Sequence, residues 1–410
     1  MSSLPLFERQ NVPLPEVSAC LEDVIAVRHD LHAHPELGFL EHRTAAVAAA
    51  KLREYGCDEV IEGVGRTGVV GIIRGRPGRY AVALRADMDA LPLAEATGRP
   101  WASVTPGRMH ACGHDGHVAW ALAAARALAA TRRFEGTAVI LIQPGEEGYA
   151  GAREMIRDGL FERVPVDEVY GAHGSVDVPL GSFGFSLGPV TAAADKFTIT
   201  VKGVGGHGSR PHRCIDPVVI AAEVIGAVQT VVSRSVDPMH PAAISIGSIH
   251  GGDPDGVSVI PEKVVMAGTT RCQTAADRDT IERRLGEICR GLSLTTGAEI
   301  TLDYTRMYPP LINLDPYVGE ARAAALSYAG ADRIVTTPAS MGAEDFSFFL
   351  EEKPGAFFWV GLGDDDHRCG AHHPGFDFND KAIGGAASIF VKLVESRLAA
   401  LSAGDRSDGE

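Results

Sequence analysis

The feature that most constrains the fold is a regular alternation of short apolar runs with segments of helical periodicity. The apolar runs at 68–73, 80–84, 138–142 and 169–172 are interleaved with helical segments, among which 118–130 is rich in alanine. Strands that alternate with helices pair mainly in parallel within one sheet. The pattern therefore predicts an α/β fold with a mixed, mostly parallel sheet flanked by helices.

The pattern changes near Ala193 and returns near Arg306. Between these positions the predicted order is strand, helix, strand, strand, helix, strand, which is typical of a ferredoxin-like α+β domain. We therefore expect residues 1–192 and 307–410 to form one domain in two parts, and residues 193–306 to form a smaller domain inserted into it. The length of 410 residues also favours two cores over one.

Residues of the types that commonly bind metal ions follow the predicted strands or open a predicted helix. They are Cys112, His114, Glu146, Glu147, His173, His372 and His373. Open α/β sheets place their sites at the carboxyl ends of the strands. Thiol, imidazole and carboxylate groups suit Zn²⁺, Mn²⁺, Co²⁺ or Ni²⁺. Each residue alone has a structural explanation, such as a hydrogen-bonded histidine or a buried cysteine. Their common location favours a metal site.

The net charge of −15 argues against nucleic acid as a partner, because phosphate binding needs a basic surface. An anionic small molecule would still need local positive charge. Such a cluster occurs in the predicted inserted domain, within seven residues, as His207, Arg210, His212 and Arg213. Flanking glycines allow close approach to a ligand. The alternative explanation is a solvated basic loop.

Six motifs, in order and with matching gaps, resemble one family. They are RHDLHAHPE at 28–36, RADMDALP at 85–92, HACGHD at 110–115, QPGEEG at 143–148, GGHGSRPH at 205–212 and GAEDF at 342–346. The chain resembles the hippurate hydrolase and auxin–amino-acid amidohydrolase family of aminoacylase-like metallohydrolases, which includes N-acetyl-diaminopimelate deacetylases. The resemblance extends from about Val24 to Ile383.

The resemblance implies two divalent metal ions. Carried over position by position, it gives the metal ligands Cys112, His114, Glu147, His173 and His373. It implies that Glu146 is the general base and that Asp87 orients a ligand, although Asp87 could instead cap a helix. We interpret His110, His117 and His372 as structural residues, because their neighbours already fill the ligand positions.

The resemblance also implies that the inserted domain is a lid and a dimerisation surface. The histidine matching His207 reaches toward the scissile carbonyl or the substrate carboxylate, often across a dimer interface, and we assign Arg210 and His212 to substrate binding. Two positions depart from the family. Ser258 replaces an asparagine associated with holding the substrate, and Ser209 replaces a common alanine.

Together these observations predict an amidohydrolase that cleaves an N-acyl amino acid, such as an N-acetyl or N-benzoyl amino acid. A dipeptidase or carboxypeptidase remains an alternative, because a dipeptide presents the same scissile amide. A metal-binding relative without catalysis is disfavoured by the presence of Glu146. A nucleotide-dependent enzyme is disfavoured because the glycine-rich segment 203–208 lies in the inserted domain and is followed by Pro211.

The sequence further predicts a cytoplasmic protein that has no membrane span, and the family resemblance implies a homodimer. Residues 1–15 lack the apolar segment of a secretory signal, and no stretch of about 18 uninterrupted apolar residues occurs. The seven cysteines are scattered and odd in number, which is not typical of a disulfide framework.

Overall fold

A computed structural model describes residues 12–407. Most of the segment on which we based the absence of a secretory signal, residues 1–11, lies outside the described residues. The chain divides into two compact units. The first comprises the residues up to 188 together with 312–338 and 348–410, and the second comprises 189–311 and 339–347. The sequence predicts divisions at 192/193 and 306/307 and places 339–347 in the larger domain, so the observed bounds differ by a few residues and by this one segment.

The first unit is built on an eight-stranded sheet. Its strands are β1 (Glu59–Val64), β2 (Gly68–Arg74), β3 (Arg76–Asp87), β4 (Glu135–Gln143), β5 (Glu168–Pro179), β6 (Phe183–Phe185), β15 (Ile334–Thr336) and β16 (Gly355–Gly363). Its helices are α1 (Pro15–Ser18), α2 (Leu21–Ala33), α3 (His42–Glu54), α4 (His114–Thr131), α5 (Glu146–Tyr149), α6 (Gly151–Arg157), α7 (Leu160–Arg163), α10 (Tyr317–Ala329) and α12 (Ile383–Ser407). Three further elements, β7 (Gly188–Thr191), β14 (Leu311–Asn313) and α11 (Phe346–Glu352), span the divisions between the units.

The strand order in this sheet is β1-β2-β4-β3-β5-β16-β6-β15. The central strands β4, β3, β5 and β16 are mutually parallel, whereas β1, β2 and the β16–β6 pair are antiparallel. The prediction of a mixed, mostly parallel α/β sheet is confirmed. Because β4, β3 and β5 run in one direction, their carboxyl ends lie at one edge of the sheet.

Helix α4 lies at the centre of the core of the first unit. Almost every residue from His114 to Leu128 is buried, and the many alanines allow α2 and α12 to pack closely against the helix. Gly113 precedes it in the left-handed conformation (φ 87°), where a side chain would be strained. The buried glycine turn therefore fixes the position at which the helix, and the residues before it, begin.

The second unit contains β8 (Ala193–Lys202), β9 (Gly206–His207), β10 (Ala242–Gly251), β11 (Val259–Ile260), β12 (Lys263–Cys272), β13 (Glu299–Tyr308), α8 (Pro217–Ser235) and α9 (Ala275–Thr296). Its main sheet has the order β10-β12-β8-β13 and is antiparallel throughout. Short 3-10 turns occur at Pro211–Arg213 in this unit and at Ala331–Arg333 and Asp380–Ala382 in the first. The strand–helix order of the second unit matches the β-α-β-β-α-β arrangement expected from the sequence.

One helix in the described part of the chain, α8, is long and apolar enough to cross a membrane by length and composition. Its window has a mean hydropathy of 1.4. One face, formed by Ile220, Val224, Val228 and Val231, is buried in the core of the second unit. A core helix of a globular domain passes the same test, so length and hydropathy alone do not make α8 a membrane span.

Candidate metal centre

The cluster of metal-binding side chains lies where β3, β4 and β5 approach one edge of the sheet. Asp87 is the last residue of β3, and β4 ends at Gln143, just before the turn that carries Glu146 and Glu147. In that turn Gly145 has a φ of 57° and Glu147 leaves helical geometry (ψ 72°). Adjacent residues at such a turn present their side chains in different directions, so Glu146 and Glu147 can serve different purposes.

Within the first unit, donor atoms from distant parts of the chain meet in three overlapping groups. Within each group the atoms lie within 4.8 Å of one another. The groups are Cys112 with Glu147 and His372; His114 with Glu146 and Glu147; and Asp87 with His114, His117 and His173. Cys112 Sγ also lies 3.3 Å from His173 Nε2. Since Glu147 and His114 each belong to two groups, the arrangement fits a pair of neighbouring cations.

The charges of the cluster also fit cations. Burial and the carboxylates of Glu147 and Glu146 raise the pKa of the Cys112 thiol well above its usual value. Burial lowers the pKa of His114, but Asp87 and Asp89 outweigh it and raise that pKa to about 10. The Nε2 atom of His114 is buried and has no hydrogen-bond partner among residues 12–407. A divalent cation would replace the proton on this nitrogen and offset the excess of carboxylates.

The structure differs from the sequence-based ligand set at one position. His372, and not His373, lies in the cluster: its Nε2 is 3.1 Å from Glu147 Oε1. The side chain of His373 instead accepts a hydrogen bond from the Gly375 amide at its Nδ1, 3.0 Å away. His372 is in the left-handed conformation (φ 65°), and its amide donates to the Ala111 carbonyl at 2.7 Å. The observed geometry therefore brings His372, which we interpreted as structural, to the other donor atoms and leaves His373, which the resemblance gives as a ligand, outside the cluster.

Asp89 was not singled out in the sequence, although it makes three contacts to the cluster. Its carboxylate accepts hydrogen bonds from the backbone amides of Glu146 (3.0 Å) and Glu147 (2.9 Å). The same group lies 3.2 Å from His114 Nδ1. A carboxylate on the distal ring nitrogen is the usual outer partner of a metal-binding histidine. The available signal was the spacing from Asp87, since residues two apart in extended backbone face the same side.

Asp87, which we expected to orient a ligand, is fully buried between three side chains. It accepts from Arg85 at 2.7 Å, lies 2.5 Å from His117 Nδ1, and lies 3.6 Å from His114 Nε2. Burial raises the pKa of Asp87, but Arg85 and the two histidines outweigh it and hold that pKa well below its usual value. Asp87 is therefore a permanent carboxylate beneath the cluster.

Glu146 is 7% exposed, and buried carboxylates accept hydrogen bonds from the backbone of its turn. The buried carboxylate of Glu41 accepts from the Gly145 amide at 2.8 Å and from the Thr67 hydroxyl at 2.7 Å. With Asp89 on the next two amides, three consecutive N–H groups are bound by carboxylates. This support fixes the turn that presents Glu146 and Glu147.

The expected substrate-binding residues lie on one loop of the second unit. His207 ends the short strand β9, and its Nδ1 lies 3.1 Å from both the amide and the hydroxyl of Ser209. Arg210 and His212 are exposed beside it. Ser258 approaches the same loop, because its carbonyl accepts from the Gly208 amide at 2.7 Å.

A thiol, imidazoles and carboxylates gathered at a sheet edge, with a spare carboxylate beside them, define a metal-dependent hydrolase. The chain belongs to peptidase family M20/M25/M40, whose family model matches residues 83–396. The family resemblance found in the sequence is thereby confirmed.

Named relatives align over nearly the whole chain. The hippurate hydrolase of Campylobacter jejuni subsp. jejuni is 38% identical over 384 residues, which cover 93% of this chain and 98% of that protein. Thermostable carboxypeptidase 1 of Saccharolobus solfataricus is 40% identical over 359 residues, which cover 85% and 88%. Among solved structures, the Bacillus subtilis YXEP protein, a dinuclear metal-binding peptidase of the M20 family, has a TM-score of 0.81 at 32% identity and covers 93% of this chain and 99% of its own.

Proposed function

We propose that this protein hydrolyses the amide bond of an N-acyl amino acid, releasing a carboxylic acid and a free amino acid. The observation that carries the proposal is the convergence of Cys112, His114, Glu147, His173 and His372 beside the additional carboxylate of Glu146. The similarity to a hippurate hydrolase supports an acyl amino acid as the substrate.

The five clustered side chains would hold two divalent cations, which supply water activation and carbonyl polarisation when bound. Glu146 would take a proton from the attacking water and deliver it to the leaving amine. Its position suits this role, because it groups with His114 and Glu147 and its turn is held rigidly by Asp89 and Glu41. A rigid base requires little reorganisation during the reaction.

The substrate carboxylate needs positive charge in a protein of net charge −15. We assign that role to the exposed loop of the second unit that carries His207, Arg210 and His212, with His207 also able to donate a hydrogen bond to the oxyanion. His207 is exposed and pairs in register with Val259. Ser258, the neighbour of Val259, is the residue through which we expect specificity to differ from relatives with asparagine there.

A carboxypeptidase is the second candidate, because a relative of that name is 40% identical to this chain. The two functions differ in what precedes the scissile amide: a simple acyl group, or an amino acid residue, which in a dipeptide carries a free amine. A panel of N-acetyl, N-benzoyl and dipeptide substrates that share one C-terminal amino acid separates them. Faster turnover of the acylated members supports our proposal, and exclusive turnover of dipeptides contradicts it.

Removal of metal tests the chemistry itself. We expect a chelator to abolish hydrolysis and Mn²⁺, Co²⁺, Zn²⁺ or Ni²⁺ to restore it, with two equivalents bound per chain. Soft thiolate and harder carboxylate ligands together do not select one of these metals. Hydrolysis by fully metal-free protein would refute the mechanism, and two bound equivalents without any hydrolysis would indicate a non-catalytic binding protein.

We also propose a homodimer formed through the second unit. The two edges of its sheet differ: β13 exposes charged residues, whereas the exposed residues of β10 are uncharged or weakly basic. The exposed residues are Glu299, Thr301, Asp303, Thr305 and Arg306 on β13, and Ala243, Ser245, Gly247, Ile249, His250 and Gly251 on β10. Charged residues protect an edge from pairing with another chain, so β10 is the edge open to a second copy. Helix α8, which packs on β10, adds exposed Val218 and Val219.

The oligomeric state in solution tests this proposal. We expect the native chain to sediment as a dimer and Ile249→Lys, which charges the open edge, to sediment as a monomer. Thr301→Lys on the β13 edge is the matched control and should leave the dimer intact.

We place the protein in the cytoplasm, which is supported by seven free cysteines and no disulfide in the described part of the chain.

A further inference from the structure

His117 lies among the metal-binding side chains but is not needed in either set of ligands proposed above. It is fully buried on α4, close to the donor atoms of Asp87, His114 and His173. Trp120 stacks on its ring, with centroids 4.4 Å apart and an interplanar angle of 23°. The question is whether His117 binds metal or does something else.

Both ring nitrogens of His117 are occupied by protein groups. Nδ1 lies 2.5 Å from Asp87 Oδ1, and Asp87 is a carboxylate that also accepts from Arg85, so Nδ1 is the donor. Nε2 lies 3.0 Å from the backbone amide of Gly174, which can only donate, so Nε2 is the acceptor. The partners thus fix one neutral tautomer and leave no lone pair for a cation.

Gly174, whose amide donates to His117, also binds the ring of His173 through its carbonyl. The Gly174 carbonyl lies 2.8 Å from His173 Nδ1, which must donate to it. His173 therefore presents Nε2, the atom that lies 3.3 Å from Cys112 Sγ. Residue 174 has little room for a side chain, because a Cβ added to Gly174 would lie 2.6 Å from Leu362 Cδ1. The contacts form a chain from Asp87 through His117 and Gly174 to His173.

We infer that His117 is a positioning residue for the metal-binding nitrogen of His173, acting through Gly174, and that it does not coordinate metal. Outer partners of this kind commonly change metal affinity 10–100-fold. The inference rests on the proposed metal centre, so the test measures binding of Co²⁺ to the full chain and does not depend on hydrolysis.

Two substitutions at His117 separate the hydrogen bond to Gly174 from the hydrogen bond to Asp87. His117→Gln can place its amide oxygen near the position of Nε2 and accept from Gly174, whereas the shorter side chain of His117→Asn can donate to Asp87 but does not reach Gly174. We expect His117→Asn to weaken one of two bound Co²⁺ equivalents roughly 10–100-fold and to alter the visible spectrum of that ion. His117→Gln should recover most of the affinity.

A packing variant on the same helix, Leu122→Ala, is the control, because it removes buried contacts without touching the chain of hydrogen bonds. It should lower the thermal midpoint while leaving the Co²⁺ spectrum unchanged. Loss of a complete Co²⁺ equivalent in both histidine variants would make His117 a ligand and overturn the inference. Wild-type affinity in His117→Asn would overturn it as well. If the wild type bound no Co²⁺, the proposed metal centre itself would be wrong.

Discussion

The Nε2 atom of His372 lies 3.1 Å from Oε1 of Glu147, although the two residues are 225 positions apart in the chain. The neighbouring His373 hydrogen-bonds within its own turn, to the Gly375 amide. Burial raises the pKa of Glu147, but the hydrogen bond with His372 and the nearby His114 outweigh it and lower that pKa. The carboxylate is thus ionised and ready to share a cation with His372.

This relationship gives the first prediction. His372→Ala should remove a ligand and weaken one metal equivalent by more than the 10–100-fold typical of an outer partner, with a matching loss of hydrolysis. His373→Ala is the matched control and should retain two equivalents, because its ring lies outside the cluster. Isothermal titration of the metal-free variants measures both. The reverse result would restore the ligand set expected from the sequence.

The sequence could predict which strands carry the site but not every side chain that completes it. Apolar runs and their polar ends located Glu146, Glu147 and Cys112 correctly at one sheet edge, because the direction of parallel strands is a property of the whole fold. The choice between His372 and His373 depends on one left-handed residue in an irregular loop. No periodicity encodes that conformation.

Strand ends were also difficult to predict. The run 169–172 predicted a strand that stops at His173, whereas β5 continues to Pro179. The reason is tertiary, since β16 pairs alongside it, with Trp359 opposite His173 and Gly361 opposite Ser175. A strand whose extension is set by a partner far along the chain carries little local signal.

The second prediction concerns the proposed base. Glu146→Gln retains the size and the backbone hydrogen bond to Asp89 but cannot accept the proton from water. We expect kcat to fall roughly 10²–10⁴-fold while two metal equivalents remain bound. Steady-state kinetics with metal analysis of the same sample provide the measurement. Full activity in this variant would assign the base elsewhere.

The third prediction concerns Asp89. Asp89→Asn replaces one accepting oxygen with a donor, so the carboxylate can no longer serve the amides of Glu146 and Glu147 and also His114. We expect metal affinity to fall roughly 10–100-fold and kcat to fall with saturating metal, because the turn carrying the base loosens. Asp30→Asn, on a half-exposed carboxylate that pairs with Arg43, is the control. Equal effects of both variants would indicate a general loss of charge.

The fourth prediction concerns a buried ion pair in the second unit. Arg278 donates to both oxygens of Asp195 at 2.8 and 2.6 Å, and Asp195 also accepts from the Tyr304 hydroxyl and the Met307 amide. Arg278→Ala leaves this carboxylate buried without its charge partner. Breaking such a pair costs about 3–5 kcal/mol, which urea denaturation should detect. Arg306→Ala, which removes exposed ion pairs with Asp279 and Glu282, should cost less than Arg278→Ala, at about 1 kcal/mol or below for each pair.

The last prediction concerns pH and His32, a buried residue of α2. His32 Nδ1 lies 2.9 Å from Asp115 Oδ2, and its Nε2 lies 3.3 Å from Glu95 Oε1. Burial lowers the pKa of His32, but the two carboxylates outweigh it and raise the pKa from 6.5 to about 9. A histidine with a raised pKa in the folded state contributes stability that is fully present below 6.5. That contribution is lost as the pH rises through about 9.

The free energy of unfolding should therefore fall by an amount on the order of 3 kcal/mol between pH 6.5 and pH 9 through this group. His32→Gln keeps a hydrogen-bonding side chain but cannot be charged, so it should be less stable at pH 6.5 and show a flatter profile up to pH 9. His42→Gln, at an exposed position of α3, is the matched control and should retain the slope of the native protein. Urea midpoints measured across this window decide the matter, because an unchanged slope in His32→Gln would show that another group titrates.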